Sequence, residues 1–335
     1  MSTVPLPQTV GISDQIIRCK PLVAIVGPTA VGKSRVAVKV AKRLHTDILT
    51  ADSRQVYRGM DVGTDKPSPS ERQGVPHRLI DLVDPDQPFN AGCFRRHAAD
   101  AIEQLYRRRQ VPLVVGGTGL YVRTLIKGLC DAPPADPLVR ARLKQEALEH
   151  GSDRLYSRLA ALDPVSASRI HPRDTAKVIR ALEVHELSLL PMSQFQKQHR
   201  FSERPYRALI IGLDRERSAL YRQIEARIDR QLADGLIEET SRLLSRGYRR
   251  DGTAMKGLGY SHVAAFLAQE YDQAEMVRRF KRDTRRFAKR QMTWFRGEPG
   301  IEWMRIEELE PAAATADRVV DRIERFLREL ETEGD

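Results

Sequence analysis

Short apolar runs alternate with amphipathic stretches along most of the chain, and this alternation predicts buried parallel strands linked by helices. The stretch at residues 94–109 has the spacing of an amphipathic helix and precedes one of the runs. We therefore expect an α/β core of the P-loop, nucleotide-binding type, built on a parallel sheet. The strand-like runs are LVAIVG (22–27), DILTAD (47–52), RLIDLV (78–83), PLVVGG (112–117) and RALIIGLD (207–214).

The pattern changes between about residues 127 and 205, where no strand-like run occurs. Pro-rich sequences (APPADP, DPVS and HPRD) separate segments of helical character there. Because the run at 207–214 resumes the core pattern, we interpret 127–205 as a helical insertion rather than a second sequential domain. The helical segments within it are 136–149, 154–162 and 175–187.

The core is accordingly expected to consist of residues 20–126 and 206–310, with a helical C-terminal part. Residues 1–19 are predicted to be a disordered tail, and residues 311–335 a C-terminal helix or tail. The first twenty residues lack the apolar centre of a signal peptide, and no apolar run approaches the roughly 18 residues that a membrane span needs. We expect no membrane partner.

The sequence VRRFKRDTRRFAKRQMTWF carries two stripes at helical spacing. We interpret the aromatic stripe as core rather than as a base-stacking platform, and the basic stripe as a candidate contact to a nucleic-acid backbone. The aromatic stripe consists of Phe280, Phe287 and Trp294, and the basic stripe of Arg278, Arg282, Arg285 and Lys289.

Charge and cysteine content narrow the possible partners and location. The formal charge is +11, and residues 246–296 hold thirteen Lys/Arg against five Asp/Glu. Such an excess suggests a polyanionic partner, most simply nucleic acid, with a solvated basic surface as the alternative. The three cysteines have no C-x-x-C spacing, which argues against a disulfide framework or zinc site and fits a reducing cytoplasm.

A phosphate-binding loop follows the first strand-like run. The sequence GPTAVGKS fits the pattern G-x-x-x-x-G-K-[ST], and the helix after it is expected to extend to about Leu44. In such loops the backbone N–H groups surround phosphate, the Lys reaches the outer phosphates and the Ser hydroxyl binds Mg²⁺. Nucleoside triphosphate is the default ligand, although the loop recognises only phosphate. Its residues are Gly27, Pro28, Thr29, Ala30, Val31, Gly32, Lys33 and Ser34.

Nucleoside-triphosphate hydrolysis usually needs an acidic residue at the end of a neighbouring strand. The run VPLVVGG ends in Gly116, Gly117 and Thr118, without an acid. The run ILTADS instead ends in Asp52, at the edge of the sheet where ligands bind in α/β folds. Asp52 could serve as a metal helper, as a base, or simply as a capping or turn residue.

Longer segments, in order from Gly27 to Arg296, resemble the tRNA dimethylallyltransferase family. The resemblance implies that the loop holds the diphosphate of dimethylallyl diphosphate. It also implies transfer of the dimethylallyl group to N6 of the adenosine 3′ of the anticodon, with release of diphosphate. The segments are GPTAVGKS, ADSRQVYRGMDVGTDKP, PHRLIDLVDP, LVVGGTGLYVRTLIKG, RIHPRDTAKVIRALEV and TRRFAKRQMTWFR.

The resemblance also implies catalytic roles. Asp52 matches the general base that removes the proton from the adenine amine. Lys33, the loop amides and Mg²⁺ on Ser34 would neutralise the departing diphosphate.

The family also uses an Arg from the helix after the last predicted strand, and the matching position here is Arg227. Relatives often have Arg where this chain has Gln223, so Arg222 and Arg230 are alternatives.

Several positions match segments that contact tRNA in the family, with Thr118 and Arg140 near the reacting base. Thr118 is also a candidate catalytic residue. From its chemistry, Gln55 is a candidate for pairing with the adenine edge, since an amide offers both a donor and an acceptor. Ser261 departs from relatives that often have a charged residue there. The matching positions are Asp52, Ser53, Arg54, Gln55, Thr118, Arg140, Ala176, Lys177, Val178, Ile179, Arg180, Lys256, Gly257, Leu258, Gly259, Tyr260 and Ser261.

Three alternative functions remain open. An adenylate isopentenyltransferase would act on free nucleotides, a P-loop small-molecule kinase would use a nucleoside triphosphate, and a non-catalytic RNA-binding protein would keep the loop as a relic. The helical insertion and basic C-terminal part favour tRNA, held by its anticodon stem-loop. The intact Lys33, Ser34 and Asp52 argue against a relic. We expect a cytoplasmic monomer that uses Mg²⁺.

Overall fold

The computed structural model describes residues 12–199 and 203–332. The prediction of a disordered tail is wrong for residues 12–19, because helix α1 (Asp14–Arg18) forms there. The side chain of Ser13 accepts a hydrogen bond from the N–H of Ile16 and so caps the helix, and Ile12 and Ile16 are buried. Residues 1–11 of that prediction lie outside the described residues.

The chain divides into two compact units. The first, called the core unit here, is Met1–Ile126 together with Pro205–Asp335, and the second, called the helical unit, is Lys127–Arg204. The two ends of the helical unit fall at the ends of the segment interpreted as an insertion.

A six-stranded sheet forms the centre of the core unit, in the order β3-β2-β4-β1-β5-β6. Every neighbouring pair is parallel, which confirms the predicted α/β class. In the centre, Ile25 of β1 lies opposite Val115 on one side and Ile211 on the other. The strands are β1 (Pro21–Val26), β2 (Ile48–Thr50), β3 (His77–Arg78), β4 (Leu113–Gly116), β5 (Arg207–Arg215) and β6 (Ile301–Ile306).

Helices fill the connections and the C-terminal part. In the core unit they are α2 (Lys33–Leu44), α3 (Pro69–Arg72), α4 (Ala91–Arg107), α5 (Gly119–Lys127), α11 (Arg217–Ala233), α12 (Leu236–Ser245), α13 (Tyr260–Leu267), α14 (Gln273–Arg296) and α15 (Ala312–Thr332). In the helical unit they are α6 (Pro137–His150), α7 (Ser152–Leu162), α8 (Pro164–Ala167), α9 (Thr175–Ser188) and α10 (Met192–His199).

Strand β1 is buried on both faces, as a continuous apolar run predicts. Val23 and Ile25 belong to the cluster that includes α2 and α15, whereas Leu22, Ala24 and Val26 belong to the cluster that includes α4 and α5. Each fully buried Val, Leu or Ile side chain contributes about 1.5–3 kcal/mol to the burial term. Because the core holds β1 from both sides, the loop that follows it starts from a fixed point.

Two strands differ from expectation. The predicted strand at 78–83 is only His77–Arg78, because Leu79 and Asp81 have φ values of 65° and 54°, which end the extended conformation. Strand β6 is not predicted by the sequence, since no strand-like run follows 207–214 and the C-terminal part is expected to be helical. Its residues are mostly half-buried or exposed, as suits a polar edge strand, and only Ile306 is fully buried.

Leucines from three helices form the core of the helical unit. Leu143 of α6, Leu155 and Leu159 of α7, and Leu182 of α9 are buried in one cluster. Predicted helices at 136–149, 154–162 and 175–187 correspond to α6, α7 and α9 within two residues at each end.

Candidate functional site

The predicted phosphate-binding loop joins β1 to α2. Gly27 has a φ of 146°, and a Cβ there would lie 2.5 Å from the carbonyl oxygen of Leu213, so only glycine fits. Gly32 caps α2 with a φ of 110°, which places Lys33 and Ser34 in the first turn of the helix. This arrangement directs the N-terminus of α2 and its unpaired N–H groups at a bound anion.

Lys33 is half-buried, and its ammonium is held by the loop itself. Its Nζ donates to the carbonyl oxygens of Gly27 (3.0 Å) and Pro28 (2.7 Å). Desolvation, reinforced by the charge of Arg227 and opposed by that of Asp52, lowers the pKa of Lys33 to about 8. An anion bound beside Nζ would favour the charged form.

A cavity of about 630 Å³ opens in front of the loop. Its walls include residues Thr29 to Ser34 of the loop, and four further side chains from the segment after β2 and from α11. These four are Asp52, Gln55, Asp65 and Arg227. The fold therefore brings the predicted phosphate-binding residues and the predicted base into one space.

Asp52 follows β2, lines the cavity and also stabilises a turn of the backbone. Its Oδ1 accepts hydrogen bonds from the backbone N–H groups of Arg54 (2.7 Å) and Gln55 (3.4 Å), which forms a tight turn. Beside it, the N–H of Ser53 donates to Oγ1 of Thr118 at 3.0 Å. The turn and base hypotheses for Asp52 are thus compatible, since the turn uses one carboxylate oxygen.

Of the three candidate arginines, Arg227 reaches the phosphate-binding loop. Its Nη1 donates to Oγ1 of Thr29 at 2.7 Å and lies 3.5 Å from Oδ2 of Asp65. Arg230 pairs with the same carboxylate at 3.1 Å. Arg222 is exposed and pairs with Glu308, so it lies on the surface instead.

Gln55 has a different partner from the one its chemistry suggested. Its Nε2 donates to the carbonyl oxygens of Thr64 (3.1 Å) and Asp65 (3.2 Å), and the residue is buried. The donor that pairing with an adenine edge would require is therefore already bound, and Gln55 fixes the segment that carries Asp65.

Gln291 links α14 to the phosphate-binding loop. Its Oε1 accepts from the N–H of Thr29, and its Nε2 donates to the carbonyl oxygen of Gly117, both at 2.9 Å. A Cβ at Gly117 would lie 2.5 Å from this Nε2, which explains the glycine. Sequence reasoning missed Gln291, because nothing around it in the sequence marks its distant partners.

Glu239 holds the segment that follows Asp52 in the sequence. Its carboxylate accepts from the N–H groups of Asp61, Val62 and Gly63 at 3.0–3.1 Å, and from the hydroxyl of Tyr260 at 2.5 Å. The residue is 3% exposed. We call this carboxylate with its four donors the Glu239 clamp. Sequence reasoning missed it, since an acid in the first turn of a helix is common.

The segment Lys256–Ser261, which matches a tRNA-contacting segment, is partly internal. Tyr260 is 1% exposed, and its ring lies so close to Gly63 that a Cβ there would be 2.4 Å from Cζ. Lys256 is exposed and Ser261 is half-buried, while Gly257 and Gly259 are buried and Leu258 is half-buried. The Tyr260 side chain therefore serves the Glu239 clamp.

Within the helical unit, Glu183 orients two predicted tRNA-contacting arginines. Arg140 donates to both its oxygens at 2.9 and 3.0 Å, and Arg180 to Oε2 at 2.6 Å. Desolvation opposes ionisation, but these hydrogen bonds hold the pKa of Glu183 below its usual value. Of the neighbouring predicted positions, Val178 and Ile179 are buried core residues, while Ala176 and Lys177 are exposed.

The basic stripe of α14 is partly neutralised. Each of its three arginines pairs with an acid: Arg278 with Glu275, Arg282 with Asp283 and Arg285 with Glu225. Lys289 is exposed. The stripe therefore presents less net charge than its sequence indicates.

The interpretation of the aromatic stripe as core holds for Phe280 but is wrong for the other two residues. Phe287 and Trp294 are 36% and 37% exposed, because the adjacent positions, Ala288 and Phe295, form the buried face of α14 instead. The indole of Trp294 lies beneath the guanidinium of Arg123, 4.2 Å from the ring centroid. A Cβ at Gly119 would be 2.1 Å from its Nε1, so this glycine permits the contact.

A comparison with protein families shows which family the chain belongs to. The family described as IPP transferase matches residues 55–298, which include Asp65 and Arg227 of the cavity wall and both ends of the Glu239 clamp. The chain belongs to the IPP transferase family. Within the described ranges 12–199 and 203–332, no helix of this IPP transferase is long and apolar enough to cross a membrane.

Similar proteins cover nearly the whole IPP transferase chain. The tRNA dimethylallyltransferase of Geobacter sulfurreducens is 48% identical over 84% of this chain and 91% of its own. That of Natranaerobius thermophilus is 45% identical over 93% and 94%. The structure of the tRNA isopentenylpyrophosphate transferase of Bacillus halodurans aligns with a TM-score of 0.70, at 37% identity, over 93% of this chain and 98% of its own.

A eukaryotic dimethylallyltransferase acting on tRNA shares the fold. It aligns with a TM-score of 0.78 at 24% identity, over 92% of this chain and 80% of its own.

Proposed function

We propose that this IPP transferase moves the dimethylallyl group of dimethylallyl diphosphate to N6 of the adenosine 3′ of the anticodon in tRNA and releases diphosphate. The observation that carries the proposal is one cavity that joins a phosphate-binding loop to Asp52, with no acid after β4. The relatives named tRNA dimethylallyltransferase, at 45–49% identity over most of the chain, support tRNA as the acceptor.

The diphosphate would bind to the loop N–H groups, to Lys33 and to Arg227. Arg227 already donates to Thr29 at the edge of the loop, and Lys33 donates to loop carbonyls that an anion can replace as partners. As the bond between the allylic carbon and the diphosphate oxygen breaks, negative charge grows on that oxygen. Cationic donors placed in advance stabilise this charge most effectively.

The residues present fit Mg²⁺ as a partner of the diphosphate. Ser34 is exposed in the first turn of α2, lines the cavity and offers the hard oxygen ligand that Mg²⁺ prefers. In residues 12–199 and 203–332 there is no group of three or more His, Cys, Asp or Glu side chains that could hold a metal ion. We infer that Ser34 would share Mg²⁺ with phosphate oxygens, a common arrangement for this ion. When bound, it would neutralise charge on the leaving group.

Asp52 would act as the general base. The adenine amine is a weak nucleophile because its lone pair is delocalised, so its proton must leave as the N6–carbon bond forms. The turn contacts of Asp52 use Oδ1, which leaves Oδ2 to accept the proton. Thr118, joined to the next residue through the N–H of Ser53, lies beside this position.

The test is prenyl transfer to RNA. The protein is incubated with Mg²⁺, dimethylallyl diphosphate and an anticodon stem-loop with a run of adenosines, and mass spectrometry detects one added C5H8 unit. Asp52→Asn keeps an oxygen for the turn but removes the base, so we expect the rate to fall by about 10²–10⁴-fold. Asp86→Asn, an exposed carboxylate that does not line the cavity, is the matched control.

Other outcomes identify the alternatives. Addition of the unit to free AMP instead of RNA would indicate an adenylate isopentenyltransferase. No addition to either, with ATP consumed when nucleosides are supplied, would indicate a kinase. The expectation of a cytoplasmic monomer stays a prediction.

A further inference from the structure

Asp65 places a negative charge inside the site that would bind diphosphate. Its carboxylate lines the cavity and pairs with two cations of α11, at 3.5 Å from Nη1 of Arg227 and 3.1 Å from Nη2 of Arg230. It also acts on Lys33, whose pKa it raises. Asp65 thus interacts with three positive charges around the phosphate-binding loop.

The protein backbone fixes this carboxylate in place. The carbonyl oxygens of Thr64 and Asp65 accept hydrogen bonds from Nε2 of Gln55, and the N–H of Asp65 donates to Val62 at 3.1 Å. Val62 and Gly63 are held in turn by the Glu239 clamp. These contacts hold the segment that carries Asp65, so its carboxylate stays at the cavity.

Arg227 retains hydrogen-bonding capacity beyond these contacts. Within the described residues, its buried Nε has no hydrogen-bond partner, while Nη1 is shared between Thr29 and Asp65. A diphosphate that approaches Arg227 must compete with Asp65 for the same guanidinium. The carboxylate repels the anion at the same time.

We propose that Asp65 weakens the binding of diphosphate in this site, and of the released diphosphate more than of the allylic substrate. The inference rests on the proposed function for the identity of its ligand. Free diphosphate has one more ionisable oxygen than its dimethylallyl ester. As fully ionised Mg²⁺ complexes the two carry net charges of about −2 and −1, so a fixed carboxylate repels the product about twice as strongly. Asp65 would thereby favour product release.

The experiment is direct binding by calorimetry, without RNA, at constant ionic strength and with Mg²⁺. The ligands are inorganic diphosphate and dimethylallyl diphosphate, and the variant is Asp65→Asn. Asn keeps the shape of the side chain and tolerates the left-handed φ of 53° at this position. The control is Asp229→Asn, which also removes one negative charge. Asp229 lies on α11, where it pairs with Lys281 at the surface.

We expect Asp65→Asn to bind inorganic diphosphate about tenfold more tightly and dimethylallyl diphosphate about threefold more tightly. Asp229→Asn should stay within about twofold of the unchanged protein for both ligands, because exposed charges are screened. Unchanged or weaker binding by Asp65→Asn, with an unaltered thermal transition, would overturn the proposal and make Asp65 a residue that merely positions Arg227. An equal gain for both ligands would overturn the selective effect.

This assay separates the inference from the proposed function. If no prenyl transfer to RNA occurs but Asp65→Asn tightens diphosphate binding selectively, the charge effect stands and the proposed acceptor is wrong. If transfer occurs but the binding constants do not change, the function stands and the inference fails.

Discussion

Replacement of Tyr260 by Phe removes one hydroxyl group from the Glu239 clamp and leaves the ring in place. The hydroxyl donates to Oε1 of Glu239 at 2.5 Å, and both residues are buried. Burial, together with the charge of Glu239, raises the pKa of Tyr260 far above its usual value, so the hydroxyl remains a donor at any workable pH. The change therefore tests a single charge-assisted hydrogen bond.

The expected cost follows from the contacts that remain. A hydrogen bond to a charged group contributes about 1.5–3 kcal/mol. Phe fills nearly the same volume, so no cavity term is added, and Oε1 keeps the N–H of Gly63 at 3.1 Å. We therefore expect Tyr260→Phe to lower the free energy of unfolding by about 2 kcal/mol.

Urea-induced unfolding, followed by circular dichroism, measures this loss. The matched control is Tyr106→Phe, whose buried hydroxyl donates to the neutral carbonyl oxygen of Pro21 at 2.8 Å. A neutral hydrogen bond contributes about 1 kcal/mol, so this control should cost roughly half as much. Binding of an anticodon stem-loop, measured by fluorescence anisotropy, should be the same for both variants.

Two results would refute this reasoning. A smaller loss for Tyr260→Phe than for Tyr106→Phe would show that the carboxylate gives this bond no additional strength. A tenfold weaker affinity for the stem-loop with an unchanged free energy of unfolding would show that the hydroxyl contacts RNA.

Two further predictions concern the cavity and its rim. The pKa of Lys33 is about 8, and the side chain attracts diphosphate in its charged form but not in its neutral form. The affinity for dimethylallyl diphosphate should therefore fall by up to about tenfold per pH unit above pH 8. Calorimetry from pH 7 to 9.5 measures this, and Lys33→Arg, which stays charged, should show a flat profile. Gly119→Ala would place Cβ 2.1 Å from Nε1 of Trp294 and should lower the free energy of unfolding by about 1–3 kcal/mol. Urea unfolding measures this loss. Adding Trp294→Ala to Gly119→Ala should recover part of it, and a double variant with no such recovery would contradict the clash.

Features determined by neighbouring residues in the sequence could be predicted. Strands β2 and β4 lie within predicted apolar runs, and β1 and β5 exceed theirs by one residue, because burial inside a parallel sheet requires nearly continuous apolar sequence. The phosphate-binding loop was recognisable because its glycines and Lys33 must occur at fixed spacing. Asp52 was a candidate because it ends a buried strand.

Features that depend on distant residues could not be predicted. Gln291 meets Thr29 across 262 positions, and Glu239 meets Val62 across 177. Neither side chain differs locally from an ordinary helical residue. Strand β6 was missed for a related reason, since an edge strand buries little and needs only backbone pairing with β5 to form.

The two hydrogen bonds of Gln291 have a thermodynamic consequence. This one amide joins α14 to the N–H of Thr29 in the phosphate-binding loop and to the carbonyl of Gly117, next to Thr118. An RNA that shifts α14 would then change the free energy with which an anion binds to the loop. Coupling of this kind is reciprocal: the factor by which RNA alters the affinity for diphosphate equals the factor by which diphosphate alters the affinity for RNA. One side chain would thus couple the binding of RNA to the binding of an anion in the loop.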